Sequence, residues 1–243
     1  MKTEVLDHGY IRLVDHMGSD LSVVRSARVS YDADWRSGED AGSDAKLIRY
    51  LMKNRHSTPF ESVTMTFEVQ APIFVFRQWH RHRTASYNEV SARYAELPEL
   101  FYVPRVEDIG VQSKSSKQAR NIDALVSEIE LEIRLNDIDQ ARDECHAAFT
   151  RYRRRIADGW PRELARAYLP FATYSRMFVT INLWNAFHFL TLRTHEHSQH
   201  EIRVFADAMV PMIESIVPVS VGAWRANEER WKKFVEWEKT SGV

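Results

Sequence analysis

The sequence predicts an α+β fold: a small antiparallel sheet packed with long helices, in a single domain spanning 1–243. Three observations carry that expectation. Residues 63–70 (VTMTFEVQ) set Val63, Met65, Phe67 and Val69 against Thr64, Thr66, Glu68 and Gln70, the period-two pattern of a half-buried strand. Residues 174–182 (YSRMFVTIN) favour a second strand. The stretch 117–158, rich in Ala, Leu, Ile, Glu and Arg, reads as strongly helical.

The elements follow in order. Residues 10–15 (YIRLVD) read as a short strand, and 20–29 as a helix behind Ser19, a good N-cap residue. Residues 36–44 form a polar loop, and Ser43 or Asp44 is expected to cap a helix over 45–54. After the 63–70 strand, Pro72 is expected at the first helical position ahead of IFVFRQWHR. Residues 83–115 look irregular. A single helix over 117–158 would be about 60 Å long, so a break is expected near Asn136-Asp137, before the stop at Gly159-Trp160-Pro161. Helix signals resume at 161–169, one or two helices are expected over 184–217, and 222–239 is helical with Trp224, Trp231 and Phe234 on one side. That stripe reads as core or interface packing.

Composition excludes several classes. The formal charge is −1, which argues against a general nucleic-acid or acidic-membrane binder. No run of apolar residues is long enough to span a membrane. The N-terminal residues carry charges throughout, unlike a secretory leader, and the single cysteine, Cys145, suits a reducing compartment; a cytoplasmic location is expected. The eight glycines are scattered with no G-x-G pair, so a Rossmann fingerprint and a P-loop are absent. The cations are 25 Arg against 8 Lys, and Arg is the side chain suited to bidentate recognition of phosphate and carboxylate.

Those arginines concentrate in 77–93, RQWHRHRTASYNEVSAR, where four of them face one glutamate for a local +3. Thr84, Ser86, Tyr87, Asn88 and Ser91 follow within the same stretch. Cations, hydroxyls and exposed N–H groups together are the chemistry of a phosphate pocket; a charged surface turn has the same composition.

Arg81-His82-Arg83, seven residues and then Ser91 resembles the RHR-x7-S signature of the flavin-dependent thymidylate synthases. His56-Ser57-Thr58-Pro59-Phe60-Glu61, the run from Ala71-Pro72 to Gln78, and Glu89, Arg93 and Tyr94 match flanking blocks. So do Pro161-Arg162-Glu163, Ala165-Arg166, Leu192-Arg193, Glu196-His197 and Glu201-Ile202. The resemblance implies methylation of dUMP to dTMP, with methylenetetrahydrofolate as carbon donor and NADPH as reductant through FAD. It also implies a homotetramer whose active sites are shared between subunits. FAD contacts would fall on Thr58, Arg81, His82, Arg83, Glu89, Asn182 and His188, with His56 beside the flavin ring. Contacts to dUMP would fall on Gln78, Arg81, Glu89, Ser91, Arg93, Arg166 and Arg193. The catalytic candidates are Arg193, Ser91 and His56.

Physical chemistry agrees with these implied roles. Arg93, Arg166 and the Ser91 hydroxyl suit a dianionic phosphate. Arg193 at the pyrimidine edge would stabilise charge developing on the N3 and carbonyl side. Ser91 reads as a positioning hydroxyl, because a serine nucleophile needs a base within reach. Folate-only thymidylate synthases add a cysteine to the uracil ring; here Cys145 sits far in sequence from every matched block and reads as a buried structural thiol. Two rival readings stand beside this one. His195, His197 and His200, with Glu196 or Glu201, suggest a metal-dependent hydrolase. The arginine clusters, including 151–155, suggest a non-catalytic nucleotide- or nucleic-acid-binding module, though cations at 151–155 also suit the C-terminal end of a helix.

Overall fold

A computed structural model describes residues 1–114, 120, 121 and 127–241. In chain order the strands are β1 (Lys2–Val5), β2 (Gly9–Met17), β3 (Thr64–Pro72), β4 (Ser86–Glu89), β5 (Val111–Gln112), β6 (Arg120–Asn121) and β7 (Tyr174–Asn182). The helices are α1 (Asp20–Arg28), α2 (Ala41–Lys53), α3 (Ile73–Trp79), α4 (Val106–Ile109), α5 (Glu128–Ala157), α6 (Arg162–Ala165), α7 (Leu183–Arg193), α8 (His200–Glu214) and α9 (Pro218–Ser241). The main sheet is antiparallel throughout, in the order β1-β2-β3-β7-β4, and β5 pairs with β6. The expected α+β architecture is the observed one.

The alternation in β3 does what its period requires. Met65, Phe67 and Val69 are fully buried against the helices, in one cluster with Val23 of α1, Phe76 of α3, Leu190 of α7, Phe205 of α8 and Val221 of α9. The opposite face is polar: Thr66 and Thr180 hydroxyls meet at 2.9 Å, and Glu68 accepts from Arg12 Nε at 2.8 Å and Tyr10 OH at 3.0 Å. Burial pushes the Glu68 carboxyl up, but the bonds from Arg12 and Tyr10 outweigh it and hold the group below its ordinary range. A second, smaller cluster of Phe101, Phe149, Tyr152 and Ala165 fixes α5 beside the sheet.

Several boundaries differ from the sequence reading. Asp40, not Ser43 or Asp44, caps α2, accepting from Gly42 N and Ser43 N. Asp44 instead turns inward to Gly38 N and Arg28. Pro72 ends β3 and is the N-cap of α3, one place earlier than expected. The stretch 83–115 contains β4, α4 and β5. Of the expected helix from 117, residues 115–119 and 122–126 lie outside the described residues and Arg120–Asn121 is extended. The helix starts at Glu128 behind a Ser127–Glu130 capping box and runs 30 residues without a break. Asn136 and Asp137 are weak helix formers, not breakers, and no Gly or Pro interrupts 128–157. The expected helix over 161–169 is α6 followed by a 3-10 turn at Arg166–Tyr168. The run 184–217 divides at 194–199 into α7 and α8. β1 was not anticipated, since KTEV is short and mostly polar; it exists because β2 offers it an edge.

Candidate active site

α3 delivers the arginine-histidine segment to the edge of the sheet. Its last residue, Trp79, is buried, stacked on Phe189 of α7 with centroids 4.8 Å apart and edge-on to Phe205 of α8. The chain then loops through 80–85 and returns as β4, the edge strand beside β7. Tyr87 closes this loop, its hydroxyl lying 3.0 Å from the carbonyl of Trp79 and 2.6 Å from that of His82. Burial raises the Tyr87 phenol to about 12, so it stays a donor.

His82 is the buried member of Arg81-His82-Arg83, with its ring edge-on to Phe189 at 4.8 Å. The last turn of α7 brings Arg193 to it: Nε donates to His82 Nε2 at 2.9 Å, and Nη2 donates to the Gln78 carbonyl at 3.4 Å. An acceptor Nε2 requires a neutral imidazole with its proton on Nδ1. Burial, then the charges of Arg193 and His188, lower the His82 pKa to about 4. Arg193 is half-buried, and among the described residues it pairs with no carboxylate. A desolvated guanidinium that among the described residues meets only neutral acceptors, through Nε and Nη2, is a site for an incoming negative charge.

A second chain of contacts fixes Gln78. Its Nε2 donates to Gln199 Oε1 at 2.5 Å, Gln199 Nε2 donates to Glu201 Oε2 at 2.8 Å, and Glu201 Oε1 accepts from Arg120 at 2.7 Å and Tyr102 OH at 3.2 Å. Glu201 is buried; burial raises its carboxyl, but the bonds from Arg120 and Gln199 prevail and keep it ionised. Gln199, Arg120 and Tyr102 escaped the sequence reading, because three unremarkable polar residues so far apart carry no local pattern.

On the outer side, Ser91 Oγ accepts from Arg93 N at 3.3 Å, and Arg93 Nε reaches Glu163 of α6 at 3.2 Å. This brings the 91–93 turn to the segment carrying Arg166, which is half-buried in the 3-10 turn after α6. Arg81, Arg83 and Arg166 make no ion pair among the described residues. No base lies within hydrogen-bond reach of Ser91 among them either. Glu89 is exposed at the end of β4. Asn182 spends its carboxamide oxygen on the α7 N-cap, accepting from Asn185 N at 2.9 Å.

His56 and Thr58 lie just past the end of α2, where the turn that begins at Thr58 packs through Phe60 on Trp184 and Phe187 of α7. The end of α2 itself is a Schellman motif: His56 N donates to Leu51 O and Arg55 N to Met52 O, with Arg55 left-handed at φ 58°. His56 is edge-on to Tyr50 at 5.8 Å, and no hydrogen bond or ring contact joins it or Thr58 to residues 78–93. Exposed His188 lies 6.1 Å from the His82 ring and lines one cavity with Arg55, the residue before His56.

The histidine triad does not assemble. His195 and His197 are ring neighbours at 4.9 Å, but His200 is half-buried and turned to Asp108 at 3.8 Å. Among the described residues no three His, Cys, Asp or Glu side chains converge on a common point. Cys145 is half-buried beside the second cluster, less enclosed than expected, and burial raises its thiol. Arg154 and Arg155 occupy the last turn of α5, where Arg155 packs over Trp160 and Tyr168. Among the described residues no helix is long and apolar enough to cross a membrane.

The model of the family described as thymidylate synthase complementing protein matches residues 12–219. The chain belongs to this family. Members similar to it include the flavin-dependent thymidylate synthase of Treponema denticola, 42% identical over 231 residues, covering 95% of this chain and 84% of that protein. The flavin-dependent thymidylate synthase of Gluconobacter oxydans is 45% identical over 223 residues, covering 91% and 71%. Among solved structures, a UMP/dUMP methylase from Streptomyces cacaoi bound with 5-Br dUMP superposes with a TM-score of 0.81 at 38% identity, over 92% of this chain and 97% of that one. As a member of the thymidylate synthase complementing protein family the chain is an enzyme, a flavin-dependent thymidylate synthase in function.

Proposed function

We propose that residues of the 78–93 segment, the α6 region and the end of α7 bind dUMP, and that the protein carries out its reductive methylation to dTMP. Methylenetetrahydrofolate is the carbon donor and NADPH the reductant. The observation that carries this reading is Arg193, a half-buried cation held against neutral His82 and a carbonyl. In this reading the phosphate sits on Arg166, Arg93 and the Ser91 hydroxyl. The Arg93–Glu163 pair is exposed, so the phosphate can displace it at little cost. Gln78, Arg81 and Glu89 complete the nucleotide contacts, with Gln78 oriented by Gln199.

The residues present also fit FAD. Arg81 and Arg83 are exposed cations without an ion-pair partner among the described residues, in the loop that leads into β4, and they suit a pyrophosphate. Bound there, FAD supplies the hydride that completes the methyl group. His82, Glu89, Asn182, His188, Thr58 and His56 are its remaining contacts in this proposal. In this reading the site is completed by neighbouring copies in a homotetramer. The working unit is the single domain 1–243, in the cytoplasm.

As the mechanism, Arg193 directs its Nη1 donors to the pyrimidine N3–carbonyl edge and stabilises the negative charge that activates the ring. Neutral His82 fixes the guanidinium plane through Nε without competing for that charge. Ser91 binds and does not attack. The test is a visible spectrum of the purified protein titrated with dUMP, followed by NADPH oxidation with dUMP or with UMP. Flavin absorbance that shifts with dUMP, and turnover that depends on dUMP, are expected. Protein without flavin absorbance that fails to oxidise NADPH when FAD, folate and dUMP are supplied would overturn the reading. Preference for UMP would reassign the substrate, as the name of the Streptomyces methylase invites.

A further inference from the structure

Gln78 is held twice by the segment that joins α7 to α8. Its carbonyl accepts from Nη2 of Arg193, the last residue of α7, at 3.4 Å. Its side-chain Nε2 donates to Oε1 of Gln199, at the start of α8, at 2.5 Å. The two glutamines are 121 apart in the chain. Gln199 is the N-cap residue of α8, yet its side chain makes no capping bond to that helix. Its amide turns instead to Gln78 and, through Nε2 at 2.8 Å, to Glu201 Oε2.

Glu201 gives this chain of amides its direction. A carboxylate in the first turn of a helix can serve the dipole from solvent, but Glu201 is only 2% exposed. Burying a carboxylate can cost more than one ion pair returns. Arg120 and the Tyr102 hydroxyl satisfy its Oε1 at 2.7 and 3.2 Å. Burial, and then Glu201, raises the Tyr102 phenol, so it stays a donor. An ionised carboxylate only accepts, so Gln199 must turn its NH2 to Glu201 and its oxygen to Gln78. That oxygen also only accepts, so Gln78 must turn its own NH2 to Gln199. Two hydrogen bonds from the carboxylate, the Gln78 amide therefore has one allowed orientation. It keeps Oε1 and one Nε2 hydrogen for another partner, and among the described residues Oε1 accepts no hydrogen bond.

We infer that Glu201 and Gln199 are positioning residues for the nucleotide site: they act through Gln78, fixing which end of its amide the nucleotide meets. The inference rests on the proposed function, in which Gln78 contacts dUMP. It separates two roles for a buried carboxylate. One that serves the fold alone affects dUMP binding whether or not the Gln78 amide is present. One that acts through Gln78 has no effect once that amide is gone.

The test measures dUMP affinity and steady-state kinetics on the full-length, FAD-loaded protein. Glu201→Gln, Gln199→Leu and Gln78→Leu are compared singly, and the first two again in the Gln78→Leu background. Glu201→Gln leaves Arg120 an acceptor, but its amide can turn either end to Gln199, so the direction is lost. Gln199→Leu breaks the chain at an exposed position and leaves Glu201 with Arg120 and Tyr102, so a folding failure of Glu201→Gln leaves the question answerable. Each single variant is expected to raise the dUMP KM by about fivefold or more, the scale of one hydrogen bond. The kcat should stay within about twofold, because Arg193 keeps its bonds to His82 and the Gln78 carbonyl. In the Gln78→Leu background neither substitution should change KM further. A wild-type KM in the folded single variants, or an equal effect in both backgrounds, would overturn the inference. So would Gln78→Leu that binds dUMP as wild type does. Wild-type protein that does not bind dUMP at all would instead overturn the proposed function beneath it.

Discussion

Arg193 donates from Nε to Nε2 of His82 across 2.9 Å, joining the last turn of α7 to the loop after α3. The two residues are 111 apart in the chain. Each fixes the state of the other: the imidazole stays neutral, and the guanidinium is oriented without being neutralised.

This pair predicts a division between two arginines. Arg193→Ala should lower kcat by about a hundredfold, the scale of one lost electrostatic contact to the transition state. Arg93→Ala should raise the dUMP KM by about tenfold or more with kcat nearly kept, since a phosphate contact binds ground and transition states alike. Steady-state kinetics on both variants check this. An unchanged kcat for Arg193→Ala would remove it from the mechanism.

The neutral state of His82 predicts an acid sensitivity. Its pKa is 6.5 in the unfolded chain and about 4 when folded, because of burial and then of Arg193 and His188. Between those values the unfolded state holds the extra proton, so stability present above pH 6.5 falls as the pH drops toward 4 and changes no further below. The full loss is about 3 kcal/mol. Denaturant titrations from pH 4 to 7 should show a shallower pH slope in His82→Gln, whose amide oxygen still accepts from Arg193. Identical slopes would refute the assignment.

Tyr87→Phe removes the hydroxyl that bridges the carbonyls of Trp79 and His82. A loss of about 1 kcal/mol in unfolding free energy is expected, the ordinary worth of a hydrogen bond. Flavin retention should fall with it, because the loop carrying Arg81 and Arg83 loses its tie. A flavin-saturated variant as stable as wild type would show the bridge to be incidental.

Cys145 packs by the second cluster, and burial raises its thiol away from the reactive range. Cys145→Ser should therefore keep most activity, measured as dTMP formed per flavin. Complete loss in a folded protein would reopen the question of a cysteine nucleophile.

The sheet was legible because its strands carry their own period. Val63 to Gln70 alternates, and each odd position from Met65 to Val69 is buried as the pattern requires. The four-residue β1 and β4 were not legible: KTEV and SYNE have no such pattern and are strands only because β2 and β7 offer open edges. Asn136-Asp137 misled for the opposite reason, since weak propensity in one turn does not outweigh an uninterrupted 30-residue helix. Of the stripe read as core or interface packing, Trp224 lies in the core, whereas Trp231 and Phe234 lie beyond that core on the same helix and are exposed on the single chain.

By itself the sequence determined the class of fold, the family and the inventory of cations, all of which depend on residue order and short-range spacing. Tertiary structure alone decided what those cations face. Arg93 meets Glu163, Arg193 meets a neutral histidine, and Arg55 has no ion-pair partner among the described residues. Such differences come from burial and from partners distant in the chain. They separate one arginine from another where the sequence shows only a near-neutral sum with an arginine-rich cluster.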